Sequence, residues 1–117
     1  MSPSIQHKEI SPATRLITLS GKLLLGSECV TELESLVPQL VAAGARNLVF
    51  DLSEVSRIDS TGIGRFIDAY GRVRKSGGQM RLAGAEGAVR ESFRLTRLDH
   101  VFPFYPTVEA ACEGLPG

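Results

Sequence analysis

Leu48-Val49-Phe50 is an unbroken apolar run between Asn47 and Asp51, and it follows a segment with helical periodicity. A strand whose apolar side chains point both ways needs cover on both faces, as inner strands of a parallel or mixed sheet have. A preceding helix supplies the crossover that parallel pairing requires. This β-α-β signal restricts the chain to an α/β architecture with helices packed on a sheet. At 117 residues there is room for one such domain, expected over residues 1–117, since a split would leave two undersized cores.

The rest of the chain reads consistently with that frame. Ile5 to Ile10 and Arg15 to Ser20 are expected to form an antiparallel hairpin around Ser11-Pro12-Ala13, where proline fixes φ and cannot donate to a ladder. Ser27 can cap a helix on which Val30, Leu33, Leu36, Val37, Leu40 and Val41 recur on one face, with Gly44 suited to its C′ position. Pro38 lies inside that helix and removes one backbone hydrogen bond, so a bend is expected there. A second helix is expected from about Thr61 to Ser76, with Ile63, Phe66, Ile67, Tyr70 and Val73 inward and Gly77-Gly78 ending it. Gln79 to Ala83 reads as a strand and Glu86 to Thr96 as a third helix with Val89 and Phe93 inward. Val101 to Tyr105 reads as a last strand broken by Pro103, and Thr107 can cap a final helix through Glu113. The expected fold is a mixed sheet, hairpin first and right-handed parallel crossovers after it, packed with about four helices. Val49, Phe50, Phe66, Ile67 and Phe93 are expected to share one core.

Composition excludes several function classes. Hydrophobic residues are 43% and charged residues 22%, an ordinary globular balance, and the formal net charge is zero. A neutral chain has no global field to draw in nucleic acid or an anionic membrane, so direct binding of either is not expected. Cys29 and Cys112 fall in expected helices and read as reduced thiols rather than a disulfide. No run approaches the ~20 apolar residues that span a bilayer, and the first residues lack the apolar stretch of a signal peptide, so a cytoplasmic protein is expected. His7, His100, Cys29 and Cys112 show no metal-ligand spacing, and neither histidine lies in a context that would serve a serine nucleophile, so neither a metal, a cofactor nor an enzymatic role is expected. Arg90, Arg94 and Arg97 fall at i, i+4 and i+7 and are expected to form a basic stripe on the third helix, read as a solvated face or a contact for an acidic partner.

The residues that carry chemistry are concentrated in Asp51-Leu52-Ser53-Glu54-Val55-Ser56-Arg57-Ile58-Asp59-Ser60-Thr61-Gly62-Ile63-Gly64. They form a polar cluster between a buried strand and a helix start. A helix N-terminus carries unpaired N–H groups and roughly half a positive charge, which suits a hydroxyl or phosphate at Ser60. Read locally, Asp, Ser and Thr are also good N-caps, and Gly62 with Gly64 would allow close packing.

From Leu16 to Ala111 the chain resembles the STAS family, most closely its soluble anti-sigma-factor antagonists. The resemblance rests on Leu19-Ser20-Gly21, Leu48-Val49-Phe50-Asp51-Leu52-Ser53-Glu54-Val55, Ile58-Asp59-Ser60-Thr61-Gly62-Ile63-Gly64, Gly77-Gly78, Thr96-Arg97-Leu98-Asp99 and Val101-Phe102, in order and at the family's spacing. It implies a non-enzymatic partner-switching regulator of transcription. In that family a GHKL-type serine kinase, which also acts as the anti-sigma factor, phosphorylates the serine after the aspartate, and the unphosphorylated antagonist displaces the sigma factor. Carried over, the phosphorylated residue is Ser60, and the partner-binding set is Lys22, Leu23, Leu24, Asp59, Ser60, Thr61, Gly62, Ile63 and Arg65.

One segment departs from the pattern. Antagonists commonly carry Gly-Glu-Leu/Ile-Asp after the second strand, whereas this chain has Gly21-Lys22-Leu23-Leu24, which replaces both acids and adds a base. Lys22 is expected to favour a nearby phosphate, and Leu23 with Leu24 to offer an apolar contact. The same segment suits a non-switching STAS adaptor, for example in a lipid-transport ATPase complex. A ligand- or nucleotide-binding sensor is the third reading, although no phosphate-binding glycine loop of the Gly-x-x-x-x-Gly-Lys-Ser/Thr kind is present.

Overall fold

The computed structural model describes residues 5–115. Residues 1–4 and 116–117, included in the one-domain expectation and in the reading of the first residues, lie outside the described residues. The elements in chain order are β1 (Ile5–Ser11), β2 (Thr14–Leu23), α1 (Glu28–Ala42), β3 (Asn47–Ile58), α2 (Ser60–Lys75), β4 (Met80–Ala83) and α3 (Gly87–Leu95). A single 3-10 turn (Leu98–His100), β5 (Phe104–Tyr105) and α4 (Val108–Cys112) complete it. The five strands lie side by side in sequence order, with β1 antiparallel to β2 and every later pair parallel. The fold is the expected single α/β domain with a mixed sheet and four helices.

Side-chain alternation along the strands divides the interior in two. Ile17, Leu19, Leu48, Phe50, Leu52 and Leu82 face the layer formed by α1, α2 and α3. On the other face Leu16, Val49 and Ala83 are covered by Ala111 of α4, with Tyr105, Val108 and Leu115 around them. Cys29 belongs to the first cluster and Cys112 packs against the second, so the two cysteine side chains lie on opposite sides of the sheet. The helix-side core is aromatic: Phe66 meets Phe50 and Phe93 edge-on at 5.1 and 5.7 Å, and Phe93 meets Phe102 and Phe104 at 6.0 and 5.3 Å between ring centroids. These T-shaped contacts set the positive edge of one ring on the negative face of the next.

Several expectations need correction. Val49 does not share the core of Phe50, because adjacent strand residues point to opposite faces. Ile67 is 48% exposed, while Gly62, Phe66, Ala69 and Val73 form the buried stripe. The helix is rolled toward its small residues, which allow close approach, and Ile67 is left on the rim. β3 continues through the polar segment to Ile58 where a loop was expected beyond Leu52, and β2 extends alongside it to Leu23. β4 pairs with β3 only from Leu48 to Asp51, so the ends of β2 and β3 project past it as a two-stranded ribbon. The last strand shrinks to Phe104–Tyr105: Leu98–His100 forms the 3-10 turn, and Phe102 drops into the core ahead of Pro103. α4 stops at Cys112, with Glu113 beyond it in extended conformation.

Candidate functional site

The β2–β3 ribbon ends where α2 begins, at the carboxyl end of the parallel strands, the edge at which open α/β sheets usually place their sites. Asp59 is the N-cap of α2. Its backbone is extended, and its Oδ1 accepts from the N–H groups of Thr61 and Gly62 at 2.9 and 3.1 Å. Its other oxygen, Oδ2, accepts from the Leu25 N–H at 2.9 Å. The Leu25 bond is the largest influence holding the Asp59 carboxyl below its ordinary range, followed by the Gly62 N–H, with the Thr61 N–H adding to it. The carboxylate thus joins the start of α2 to the loop between β2 and α1.

Two further contacts dock that loop. The Asp59 N–H donates to the Leu23 carbonyl at 3.2 Å. Gly62 sits so close to the same carbonyl that a Cβ there would stand 2.4 Å from the oxygen, so this turn of helix accepts only glycine without a shift. Gly64 meets nothing within 4 Å of a Cβ position, so close packing explains Gly62 alone.

Ser60 is the first residue of α2, exposed, and its hydroxyl has no hydrogen-bond partner among the described residues. Beside it a groove of about 510 Å³ runs between the start of α2 and the end of α3, lined by Ile58, Ile63, Ile67, Leu95 and Leu98 with Ser92 and Thr96 at its edge. Leu95 is 70% exposed and Leu25, on the loop held by Asp59, is 80% exposed. Neither His7 nor His100 lines this groove.

The other expected site residues are placed as follows. Thr61 is half-buried, and Gly62 and Ile63 are buried. Leu23 is fully buried in the helix-side core, which corrects the expectation that its side chain offers a contact; Leu24 is half-buried. The exposed apolar residue of the segment is its neighbour Leu25, which pattern reading passed over because a single leucine before a glycine carries no periodicity. Lys22 lies opposite Arg57 in the β2–β3 ladder, and alternation from Leu23 and Ile58 turns both to the sheet face away from α2. Arg65 points to α1, bridging Glu34 at 3.1 Å and Asp68 at 3.6 Å. The basic stripe on α3 is corrected: Arg90 stacks over Phe104 at 4.3 Å, Arg94 pairs with Glu91, and Arg97 lies past the helix in a left-handed conformation with φ 62°.

The model of the STAS domain matches residues 6–111. This chain belongs to the STAS family. Solved STAS-type structures share its fold. It is similar to an anti-sigma factor antagonist from Mycobacterium paratuberculosis at 28% identity, with 96% of this chain and 94% of that one covered and a TM-score of 0.78. The Thermotoga maritima protein TM1081 is 23% identical over 95% and 93% of the two chains, with a TM-score of 0.85. The Bacillus cell-fate determinant SpoIIAA, in its phosphorylated form, is 18% identical over 90% and 93%, with a TM-score of 0.73. Among the described residues of this STAS domain no helix is long and apolar enough to cross a membrane, and no group of three or more His, Cys, Asp or Glu could hold a metal ion.

Proposed function

We propose that this STAS protein is an anti-sigma-factor antagonist, a non-enzymatic cytoplasmic switch that binds an anti-sigma factor acting also as a GHKL-type serine kinase, and that phosphorylation at Ser60 releases it. The observation that carries this reading is the exposed, unpartnered Ser60 hydroxyl on the first turn of α2, bordered by the apolar groove, with the exposed Leu25 tied to the preceding residue Asp59. In the kinase complex the Ser60 Oγ attacks the γ-phosphorus of ATP, the bond to the leaving ADP oxygen breaks, and the hydroxyl proton passes to a base of the kinase. The product carries about −1.5 to −2 charge beside apolar side chains. The helix N-terminus tolerates that charge within the domain, whereas a packed partner would have to desolvate it. The switch therefore acts on binding and leaves the fold in place.

Mass spectrometry after incubation with the cognate kinase and ATP, with calorimetric titration of the same kinase, tests the reading. Ser60→Ala is expected to bind and to take up no phosphate, and Ser60→Asp or the phospho-form to bind more weakly. Label on Thr61 alone, or on no residue, removes Ser60 from the mechanism. A constitutive STAS adaptor is the second reading, favoured by Lys22 and Leu24 standing where antagonists carry acids and by the exposed Leu25. Affinity that does not change between the phospho- and unmodified forms selects it.

A further inference from the structure

We infer that Asp59 is a positioning residue: its carboxylate holds Leu25 to the start of α2 as an exposed apolar anchor for the partner, and a phosphate on Ser60 loosens that hold. The second half rests on reading Ser60 as the phosphoacceptor; the first half does not. The two oxygens of one carboxylate divide the work. Oδ1 serves the Thr61 and Gly62 N–H groups of α2, and Oδ2 serves the Leu25 N–H across 34 residues of sequence. An exposed leucine alone is ordinary, but this one has its backbone fixed by an ionised acceptor, and charge-assisted hydrogen bonds are about twice as strong as neutral ones. The rest of the loop is pinned independently, by the Asp59 N–H to the Leu23 carbonyl at 3.2 Å and by the Leu24 N–H to the Ser27 hydroxyl at 3.2 Å. Leu25 itself has its hold on the site through Oδ2.

A phosphate on Ser60 changes the balance at this point. It sets a dianion one residue from the carboxylate and offers strong acceptors to the same Thr61 and Gly62 N–H groups that Oδ1 uses. Repulsion and the loss of those donors turn the Asp59 side chain outward, and the Leu25 N–H loses its acceptor. Leu23 and Gly62 keep their packing, so α2 and the core stay as they are while the anchor moves.

Amide hydrogen exchange of the full chain, read by NMR, tests both halves. Asp59→Asn keeps one oxygen for the helix N–H groups but presents an NH2 to the Leu25 N–H, so the Leu25 amide is expected to exchange at least about tenfold faster, while those of Phe50 and Phe66 speed up only by the smaller factor that the fall in global stability sets. Protein carrying phosphoserine at 60, installed during translation, is expected to show the same gain at Leu25, and Ser60→Ala none. Wild-type exchange at Leu25 in Asp59→Asn overturns the hold; a gain there with none in the phosphoserine protein overturns the coupling. Failure of the phosphorylation reading is seen separately, as absence of kinase label at Ser60. Leu25→Ser keeps the N–H and is expected to bind the cognate kinase about tenfold more weakly; unchanged affinity overturns the anchor.

Discussion

The aromatic core and the junction at Asp59 are neighbours built on different physics. In the core, Phe50, Phe66, Phe93 and Phe102 are almost wholly removed from water and held by ring-edge contacts and area alone. At the junction, the loop after β2 and the first turn of α2 are held by backbone N–H groups, one carboxylate and the absence of a side chain at Gly62. Packing is dense and has no second arrangement of similar energy, whereas hydrogen bonds around a charged group can be redistributed by adding another charge. The contrast places stability in one region and the proposed switch in the other. Substitutions should therefore separate by size.

The largest effect is expected from Phe66→Ala, which empties the centre of the aromatic row and should cost roughly 3 to 5 kcal/mol by denaturant unfolding. Its neighbour Ile67, 48% exposed, should cost under about 1 kcal/mol on truncation and should weaken partner binding instead. Equal losses for the two would erase the distinction between core and rim. Gly62→Ala comes next. Its Cβ would meet the Leu23 carbonyl at 2.4 Å, so the loop or the helix must shift, at about 1 to 3 kcal/mol. Faster amide exchange confined to the Leu23 to Ser27 loop and the first turn of α2 would place that shift at the junction; uniform loss across the sheet would merge the two regions.

Sequence patterns made the core largely legible and the junction only partly so. The face of α1 could be read because Val30, Leu33, Val37 and Leu40 repeat with the period of one buried stripe, and Gly77 could be read because it takes φ +87° after α2. Ile67 misled because it is as apolar as Ile63, and nothing in the pattern says that α2 leans on Gly62 and Ala69. The extension of β3 was hidden because it pairs only with β2 past Asp51, leaving Ser53, Glu54, Ser56 and Arg57 exposed in a loop-like composition. Ser60 and Asp59 stand out in the sequence through family spacing and N-cap chemistry. Leu25 does not, since its proposed role rests on a bond to a residue 34 positions away, which no local window contains.

A smaller effect, with a definite sign, is expected from acid. Hydrogen bonds from Leu25, Gly62 and Thr61 hold the Asp59 carboxyl below its ordinary range in the folded protein. A depressed folded value means that the carboxylate contributes stability fully above the unfolded pKa, near ~3.9, and loses it as pH falls through the lower folded value. Asp59→Asn has no such titration. The gap in urea midpoint between wild type and Asp59→Asn should be widest near neutral pH and close below about pH 4, because other carboxylates titrate alike in both proteins. A gap that widens in acid would mean that the carboxylate is not the stabilising form at the junction.

The smallest effect on stability is expected at the residue with the largest proposed role. The Ser60 hydroxyl is exposed and bonds to no described residue, and alanine is a good helix former at this first position of α2. Ser60→Ala should therefore leave the unfolding midpoint within about 0.5 kcal/mol of wild type. The cap survives because it belongs to Asp59, one residue earlier. A hydroxyl that the fold does not use, placed beside a groove that the fold does not fill, is free to serve a partner. A loss well above that bound would show that Ser60 helps to cap α2, returning it to the structural role that its position before Thr61 and Gly62 also allows. Near-neutral stability together with lost phosphate uptake would instead separate the switch from the scaffold at a single oxygen atom.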